Sequence, residues 1–132
     1  MFMIFGINFR MIYSKSALLK GLGDWDYDEI SIQHPNQDQV LVKVIQCGIC
    51  STDVVRSMEV GFYNYPIVPG HEIIGKIYKI GKNQSGYKEG DKVCVYPLIT
   101  CGSPDCCGNS VSAYGLQKNP NLCSKYDFLG SR

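Results

Sequence analysis

The chain has 132 residues, of which 45% are hydrophobic and 19% are charged, and its formal net charge is +1. This length favours a single domain with a sizeable core, and the composition excludes an intrinsically disordered chain. The charged residues form no basic cluster, so the sequence favours neither nucleic acid nor an anionic membrane surface as a partner.

The number of cysteines and the N-terminal sequence indicate the cellular compartment. Seven cysteines are an odd number, whereas a secreted disulfide framework normally has an even set and a signal peptide. Residues 1–9 are apolar but lack a basic start and a cleavage pattern. They are also far fewer than the roughly 20 residues of a membrane-spanning helix. We therefore expect a cytoplasmic protein with reduced thiols and no membrane partner.

Residues 1–12 are interpreted as an N-terminal extension or a mis-start. Met11 would be an ordinary start, and the recognisable sequence pattern begins at Tyr13. An upstream mis-start is the favoured explanation, with an added strand as the alternative. The expected domain therefore covers residues 13–132.

Short apolar runs separated by turn residues dominate the chain, which is typical of β structure. Alternating apolar and polar residues predict strands over residues 39–45, 72–80 and 92–98. Gly75 falls inside the second of these strands, where a glycine indicates a bulge or a close approach of two backbones.

One short helix is predicted over residues 51–58, between the first two of these strands. Ser51 or Thr52 could cap its N-terminus, and Asp53 would lie favourably in its first turn. No long amphipathic helices alternate with the strands, and Gly21-Leu22-Gly23 lacks the third glycine of a dinucleotide-binding turn. The predicted fold is therefore mainly β, a small distorted β-barrel with short helices and no Rossmann domain.

Two short motifs carry metal-binding chemistry. Cys47-Gly48-Ile49-Cys50 is followed closely by Asp53, and Gly70-His71-Glu72 lies about twenty residues further on. Taken alone, the two cysteines could be a redox pair, zinc ligands or buried thiols. Thiolate sulfur and imidazole nitrogen both bind zinc, and a catalytic zinc uses three protein ligands and one open position. The two motifs together therefore favour a catalytic zinc site with only two evident ligands, Cys50 and His71.

Three ordered motifs resemble those of the zinc-dependent medium-chain dehydrogenases, the relatives of alcohol, sorbitol and threonine dehydrogenases. These motifs are Cys-Gly-Ile-Cys-Ser-Thr-Asp at 47–53, Pro-Gly-His-Glu at 69–72 and Glu-Gly-Asp-Lys-Val at 89–93. The resemblance extends from about Ser14 to Arg132. It implies that this chain is a GroES-like barrel with a cysteine-bearing lobe.

The stretches at 65–67 and 125–132 are especially similar to the galactitol-1-phosphate and sorbitol-type polyol branch. This similarity implies an oxidoreductase that acts on a secondary alcohol of a polyol or a polyol phosphate. The implied reaction is alkoxide formation on zinc followed by hydride transfer to NAD or NADP. The implied partners are a small-molecule polyol or sugar-alcohol phosphate, and a second copy of the chain.

The resemblance also implies a set of metal ligands. Cys50 and His71 would hold the catalytic zinc, and Glu72 would lie beside the metal as a direct ligand or as a neighbouring carboxylate. Cys47 is expected to be a small core residue.

The residues expected to act in catalysis are Thr52, Ser51 and Asp53. Asp53 would accept the second ring N–H of a ligand imidazole, and Thr52 or Ser51 would relay the substrate proton. A plain helix cap is the alternative role for Thr52. Arg56 could contact a substrate phosphate, with a surface arginine as the alternative. Phe62, Tyr63 and Tyr65 could line the substrate pocket, with simple aromatic packing as the alternative.

A second group of cysteines occupies the region where such dehydrogenases often carry a structural zinc lobe. Cys101, Cys106, Cys107 and Cys123 have the spacing C-x4-C-C-x15-C. Four thiols could close a tetrahedral zinc site. The alternative is a lobe that has lost its metal and leaves exposed thiols. Cys94, in an alternating strand, is expected to lie in the core.

In the resembled family, a third zinc ligand and the nucleotide-binding domain come from further along the chain. We therefore expect that these 132 residues are the N-terminal catalytic portion of a dehydrogenase, truncated before the nucleotide-binding domain and inactive alone. No cofactor-binding residue is expected within them. The alternative is a stand-alone GroES-like module that binds metal or a partner without catalysis.

Overall fold

The computed structural model describes residues 11–101, 121 and 123–131. These residues form three small antiparallel sheets of two, three and two strands. The strands are β1 (Ile12–Gly21), β2 (Asp24–Ile32), β3 (Val40–Gly48), β4 (Glu72–Ile80), β5 (Lys92–Cys94), β6 (Leu98–Ile99) and β7 (Asp127–Phe128). Helix α1 (Ser51–Val55) is followed by a π-helical turn (Arg56–Val60).

The predicted mainly β fold is confirmed. The strand predicted at 72–80 coincides with β4, and the one predicted at 39–45 corresponds to β3, which continues to Gly48. The strand predicted at 92–98 is divided into β5 and the start of β6. Among the described residues no helix is long and apolar enough to cross a membrane.

The predicted helix begins at Ser51 as expected, but its α-helical part ends at Val55 and its cap differs from the prediction. Its N-cap is Cys50, whose backbone N–H donates to Asp53 Oδ2 at 3.0 Å, so neither Ser51 nor Thr52 caps it. The helical backbone widens to a π turn after Val55. The turn ends at Gly61, which has a φ of 93° that residues with a side chain rarely adopt.

The hairpin β1–β2 is the largest element for which the sequence carried no specific prediction. Its strands pair from Ile12 opposite Ile32 to Gly21 opposite Asp24. The turn contains the Gly21-Leu22-Gly23 segment, and Gly23 has a φ of 70°. Those glycines therefore serve a hairpin turn. Of the predicted extension, only Met11 and Ile12 lie within the described residues.

The main buried cluster of the described residues joins this hairpin to the segment that leads to His71. Leu19 is fully buried and packs with Phe62 and Ile67. The backbones of Leu19 and Ile67 exchange two hydrogen bonds, of 2.8 and 2.9 Å. The residues just before His71 are therefore fixed by both main-chain bonds and apolar burial.

Gly75 lies at a close contact between β3 and β4, as the sequence indicated. A Cβ at this position would lie 2.4 Å from Val42 Cγ1 and 2.7 Å from the Lys43 carbonyl oxygen. The partner strand shifts register on both sides, between Leu41 and Val42 and between Val44 and Gln46. Any side chain at Gly75 would therefore separate the two strands that adjoin the two candidate metal-binding motifs.

We expect Gly75→Ala to lower the free energy of unfolding by about 1–3 kcal/mol, the usual cost of overpacking. Gly21→Ala is the matched control, because its Cβ would meet only Asp24 Cβ at an ordinary 3.8 Å. Urea unfolding followed by circular dichroism measures both. Equal stability of the two variants would contradict the tight packing of β3 on β4.

Candidate metal centre

The pairing of β3 with β4 brings the two motifs together. Gly48, the last residue of β3, is the register partner of Glu72, the first residue of β4. Cys50 lies two residues beyond the end of β3, and His71 lies one residue before the start of β4. Because the strands are antiparallel, both side chains fall at the same end of the sheet.

Gly48 makes room for the carboxylate of Glu72. A Cβ at Gly48 would lie 2.2 Å from Glu72 Oε2, so only glycine allows this carboxylate to lie across the end of β3. The thiol, the imidazole and the carboxylate of Cys50, His71 and Glu72 place their ligand atoms within 4.8 Å of one another. One sulfur, one nitrogen and one oxygen donor fit a catalytic zinc site, which uses three protein ligands.

Asp53 connects the two motifs. Its Oδ1 lies 3.3 Å from His71 Nδ1, and both side chains are largely buried. Nδ1 has no hydrogen bond of good geometry among the described residues, so this is a close electrostatic contact. Its Oδ2 accepts the backbone N–H of Cys50. Asp53 therefore hydrogen-bonds the backbone of Cys50 and lies beside His71 Nδ1.

The Cys50 thiol is surrounded by hydrogen-bond donors. Hydrogen bonds from Thr52, through its side chain and its backbone, lower the pKa of Cys50 from 9.0 to about 7, with smaller contributions from His71 and Ser51. Each donor stabilises the thiolate relative to the thiol. Because the thiolate is the form that binds zinc, the site favours metal near neutral pH.

A cavity of about 290 Å³ opens beside the metal donors, and we call it the substrate cavity. It is lined by Cys50, Thr52, Asp53, Arg56, Phe62, His71, Phe128 and Ser131. A wider cleft of about 650 Å³ lies on the other side of His71 and includes Glu72 and Cys94. The candidate ligands therefore face space that a small molecule could enter.

Of the other predicted site residues, some line the substrate cavity and others lie outside its wall. Thr52 and Arg56 line the substrate cavity, whereas Ser51 is exposed and is not part of its wall. Tyr63 is 61% exposed and lies against Arg56, with the guanidinium carbon 4.6 Å from its ring centroid. The structure therefore places Tyr63 behind Arg56 and outside the wall of the cavity.

Two residues of the cavity wall had no predicted role. Phe128 packs its ring edgewise on His71 with centroids 5.4 Å apart, and Ser131 lines the cavity nearby. Gly130, between them, has a φ of 65°, and a Cβ there would lie 2.1 Å from the Gly70 carbonyl oxygen. The segment 125–132 had been noted only for its similarity to a polyol branch, and no local pattern placed it beside the histidine.

The predictions for two further cysteines are wrong. Cys47 and Cys94 were expected in the core, and both are exposed. Cys47 does approach a backbone, since a Cβ at Gly70 would lie 2.6 Å from its Sγ. Cys94 instead faces the wider cleft, because its alternating strand turns that side chain outward.

Half of the second cysteine group lies within the described residues. The Sγ atoms of Cys101 and Cys123 are 3.6 Å apart, and Cys123 is 2% exposed. The Cys101 backbone N–H also donates to Cys123 Sγ at 3.5 Å. Cys106 and Cys107 lie outside the described residues. The predicted structural zinc remains a prediction.

Comparison with known proteins identifies the family. Residues 36–131 match the family described as the alcohol dehydrogenase GroES-like domain. The chain belongs to this family. The predicted family and the predicted GroES-like fold are thereby confirmed. Members of this family are oxidoreductases that act on alcohols.

Individual relatives differ in substrate. Cinnamyl alcohol dehydrogenase 3 of Arabidopsis thaliana is 41% identical over 80 residues, which are 59% of this chain and 21% of that protein. Galactitol-1-phosphate dehydrogenase from Escherichia coli has a similar structure, with a TM-score of 0.75 and 33% identity over 90% of this chain and 32% of its own. A zinc-binding dehydrogenase from Sinorhizobium meliloti 1021, solved bound to NADP, has a TM-score of 0.74 and 27% identity over 92% of this chain and 33% of its own.

The chain thus spans between about a fifth and a third of the length of these relatives. Their names also divide between an aromatic alcohol and a polyol phosphate. Membership of the family is settled, whereas the substrate of this chain is a matter for proposal.

We expect Thr52→Val to raise the pKa of Cys50 toward 9.0, because it removes the hydroxyl that contributes most to lowering it. In chelator-treated protein, the pH at which Cys50 is alkylated at half its maximal rate should move upward from about 7. Iodoacetamide labelling followed by peptide mass spectrometry reports Cys50 separately from the other thiols. Ser51→Ala should shift the profile less, and a larger shift for Ser51→Ala would contradict the geometry.

Proposed function

We propose that this chain is the domain of a zinc-dependent NAD(P) oxidoreductase that binds the catalytic zinc and the alcohol substrate. The observation that carries the proposal is the convergence of Cys50, His71 and Glu72 beside the substrate cavity. Membership of the alcohol dehydrogenase GroES-like family supports it. The domain would cover residues 13–132, in a cytoplasmic and homo-oligomeric enzyme.

Zinc, when bound, acts as a Lewis acid that lowers the pKa of an oxygen ligand, for water to about 7. The chain's own residues would hold and orient the reactants. Asp53 would fix the imidazole of His71 so that Nε2 faces the metal. The ring of Phe128 would keep water away from that imidazole, since it packs edgewise on it.

Thr52 is the better candidate for moving the substrate proton. Thr52 lines the substrate cavity beside Cys50, whereas Ser51 does not. A hydroxyl can donate and accept in turn, which a proton relay requires. The capping role is excluded because the N-cap residue is Cys50.

We further propose that the substrate is a polyol or a polyol phosphate resembling galactitol 1-phosphate. The polar residues of the substrate cavity support this choice over an aromatic alcohol. Thr52 and Ser131 offer hydroxyls, and Arg56 offers a cation. The structural likeness to galactitol-1-phosphate dehydrogenase points the same way. NAD or NADP would be bound by parts of the enzyme outside these residues.

Replacement of zinc by Co(II) tests the proposed centre in the 132-residue protein. In Cys123→Ala protein, where the second cysteine group is incomplete, we expect Co(II) to give the thiolate charge-transfer absorption of a cysteine ligand and to lose it when Cys50→Ala is added. Cys94→Ala is the matched control, because that exposed thiol lies outside the donor set and should leave the absorption unchanged. Addition of a hexitol should shift the visible d–d bands, since a catalytic site keeps an open position.

The Co(II) titration also distinguishes the proposed dehydrogenase domain from a stand-alone metal-binding module. A Co(II) centre whose visible spectrum does not change when any alcohol is added would favour a metal-binding module without catalysis. Absence of any Co(II) or zinc binding that depends on Cys50 would overturn the proposal.

We expect Asp53→Asn to weaken zinc binding by about 10- to 100-fold, the usual effect of losing a carboxylate behind a ligand histidine. Competition with a chromophoric chelator measures the affinity. Asp26→Asn is the control, because Asp26 is an exposed carboxylate paired with Lys20, far from the motifs. Equal zinc affinity of Asp53→Asn and wild type would show that the Asp53–His71 contact does not support the metal.

A further inference from the structure

Arg56 is the cationic residue in the wall of the substrate cavity. Among the residues that line this cavity, all of them described, no other lysine or arginine occurs. Its guanidinium carbon lies 4.6 Å from the ring centroid of Tyr63 and 5.6 Å from that of Phe62. Two aromatic faces therefore hold the cation at the cavity wall.

No carboxylate neutralises this cation within the described part of the chain. The ion pairs found there join Lys20 to Asp26 and His71 to Asp53. Asp53 shares the cavity, but its two oxygens face His71 and the backbone of Cys50. The positive charge of Arg56 is therefore available to an anionic group that enters the cavity.

Most of the donor capacity of Arg56 is also unused. Its Nη1 donates to the Gly61 carbonyl oxygen in a long bond of 3.4 Å. The guanidinium carries five N–H donors in a planar fork that matches the oxygens of a phosphate. Ser131 lines the same cavity and can supply a hydroxyl donor to the same group.

We propose that Arg56, supported by Tyr63 and Phe62, forms an anion subsite that recognises the phosphate monoester of a phosphorylated polyol. This inference rests on the proposed function, because it assumes that the reacting hydroxyl of the same molecule lies at Cys50 and His71. It makes Arg56 the residue that distinguishes a polyol phosphate from a free polyol. Tyr63 acts by positioning the guanidinium.

Binding measurements on the 132-residue protein test the subsite without turnover. The probes are inorganic phosphate, a hexitol phosphate, the corresponding hexitol and adenosine 2′-phosphate, each titrated at constant ionic strength and followed by ¹H–¹⁵N NMR. We expect the hexitol phosphate to bind at least about 10-fold tighter than the hexitol, as charge-assisted hydrogen bonds imply. Arg56→Gln should abolish this preference by weakening the binding of the hexitol phosphate.

Three variants keep the result interpretable. Lys79→Gln removes the same charge from an exposed strand position outside the cavity wall and should leave the preference intact. Arg56→Lys should retain part of it, because lysine keeps the charge without the fork. Tyr63→Leu should weaken phosphate binding with no loss of fold, which the NMR spectrum reports directly.

Several outcomes would overturn the subsite. These are no preference for the hexitol phosphate in the wild type, an unchanged preference in Arg56→Gln, or an equal loss in Lys79→Gln. Tighter binding of adenosine 2′-phosphate than of the hexitol phosphate would assign the cation to a nucleotide and equally overturn it. The Co(II) absorption of Arg56→Gln distinguishes failure of the subsite from failure of the metal centre. A variant that keeps the Co(II) absorption but no longer prefers the hexitol phosphate has lost the subsite alone.

Discussion

The antiparallel pairing of β3 with β4 is the constraint on which the candidate site depends. It sets Gly48 opposite Glu72, and the neighbouring positions in sequence then place a thiol and an imidazole at one end of the sheet. Glycine is required at two points of this pairing, at Gly48 for the carboxylate and at Gly75 for the backbone of β3. Glu72 therefore lies on a hydrogen-bonded strand, and Cys50 and His71 lie within two residues of the ends of β3 and β4.

Asp53 is the second feature that positions Cys50 and His71. Helix α1 begins directly after β3, and its first turn directs Asp53 back to the Cys50 N–H and toward His71. A carboxylate buried in this way costs desolvation unless its oxygens are used, and both oxygens of Asp53 face polar partners. The same side chain thus stabilises the start of the helix and the orientation of the histidine. A change at Asp53 would affect local folding and metal affinity together.

The sequence predicted those parts of the structure that follow from local pattern. Alternation located β4 exactly as observed, and the chemistry of Cys50, His71 and Glu72 identified residues that the structure brings within 4.8 Å. It did not predict the helix cap, because a cysteine at the N-cap is not a standard capping residue. Nor did it place Phe128, whose contact with His71 depends on packing between distant segments. Alternation also misled at Cys94, where a strand with one open side exposes the thiol.

The C-terminal segment completes the cavity wall because its backbone lies close to the backbone just before His71. Gly130 adopts a positive φ and lies so close to Gly70 that a Cβ at Gly130 would meet the Gly70 backbone. This contact fixes Phe128 on the imidazole and Ser131 in the cavity wall. The wall of the cavity then carries the Cys50 thiol and the His71 imidazole together with the Arg56 guanidinium. Under the proposed function, a substrate that contacted all three groups would carry both a hydroxyl and an anionic group, as a polyol phosphate does.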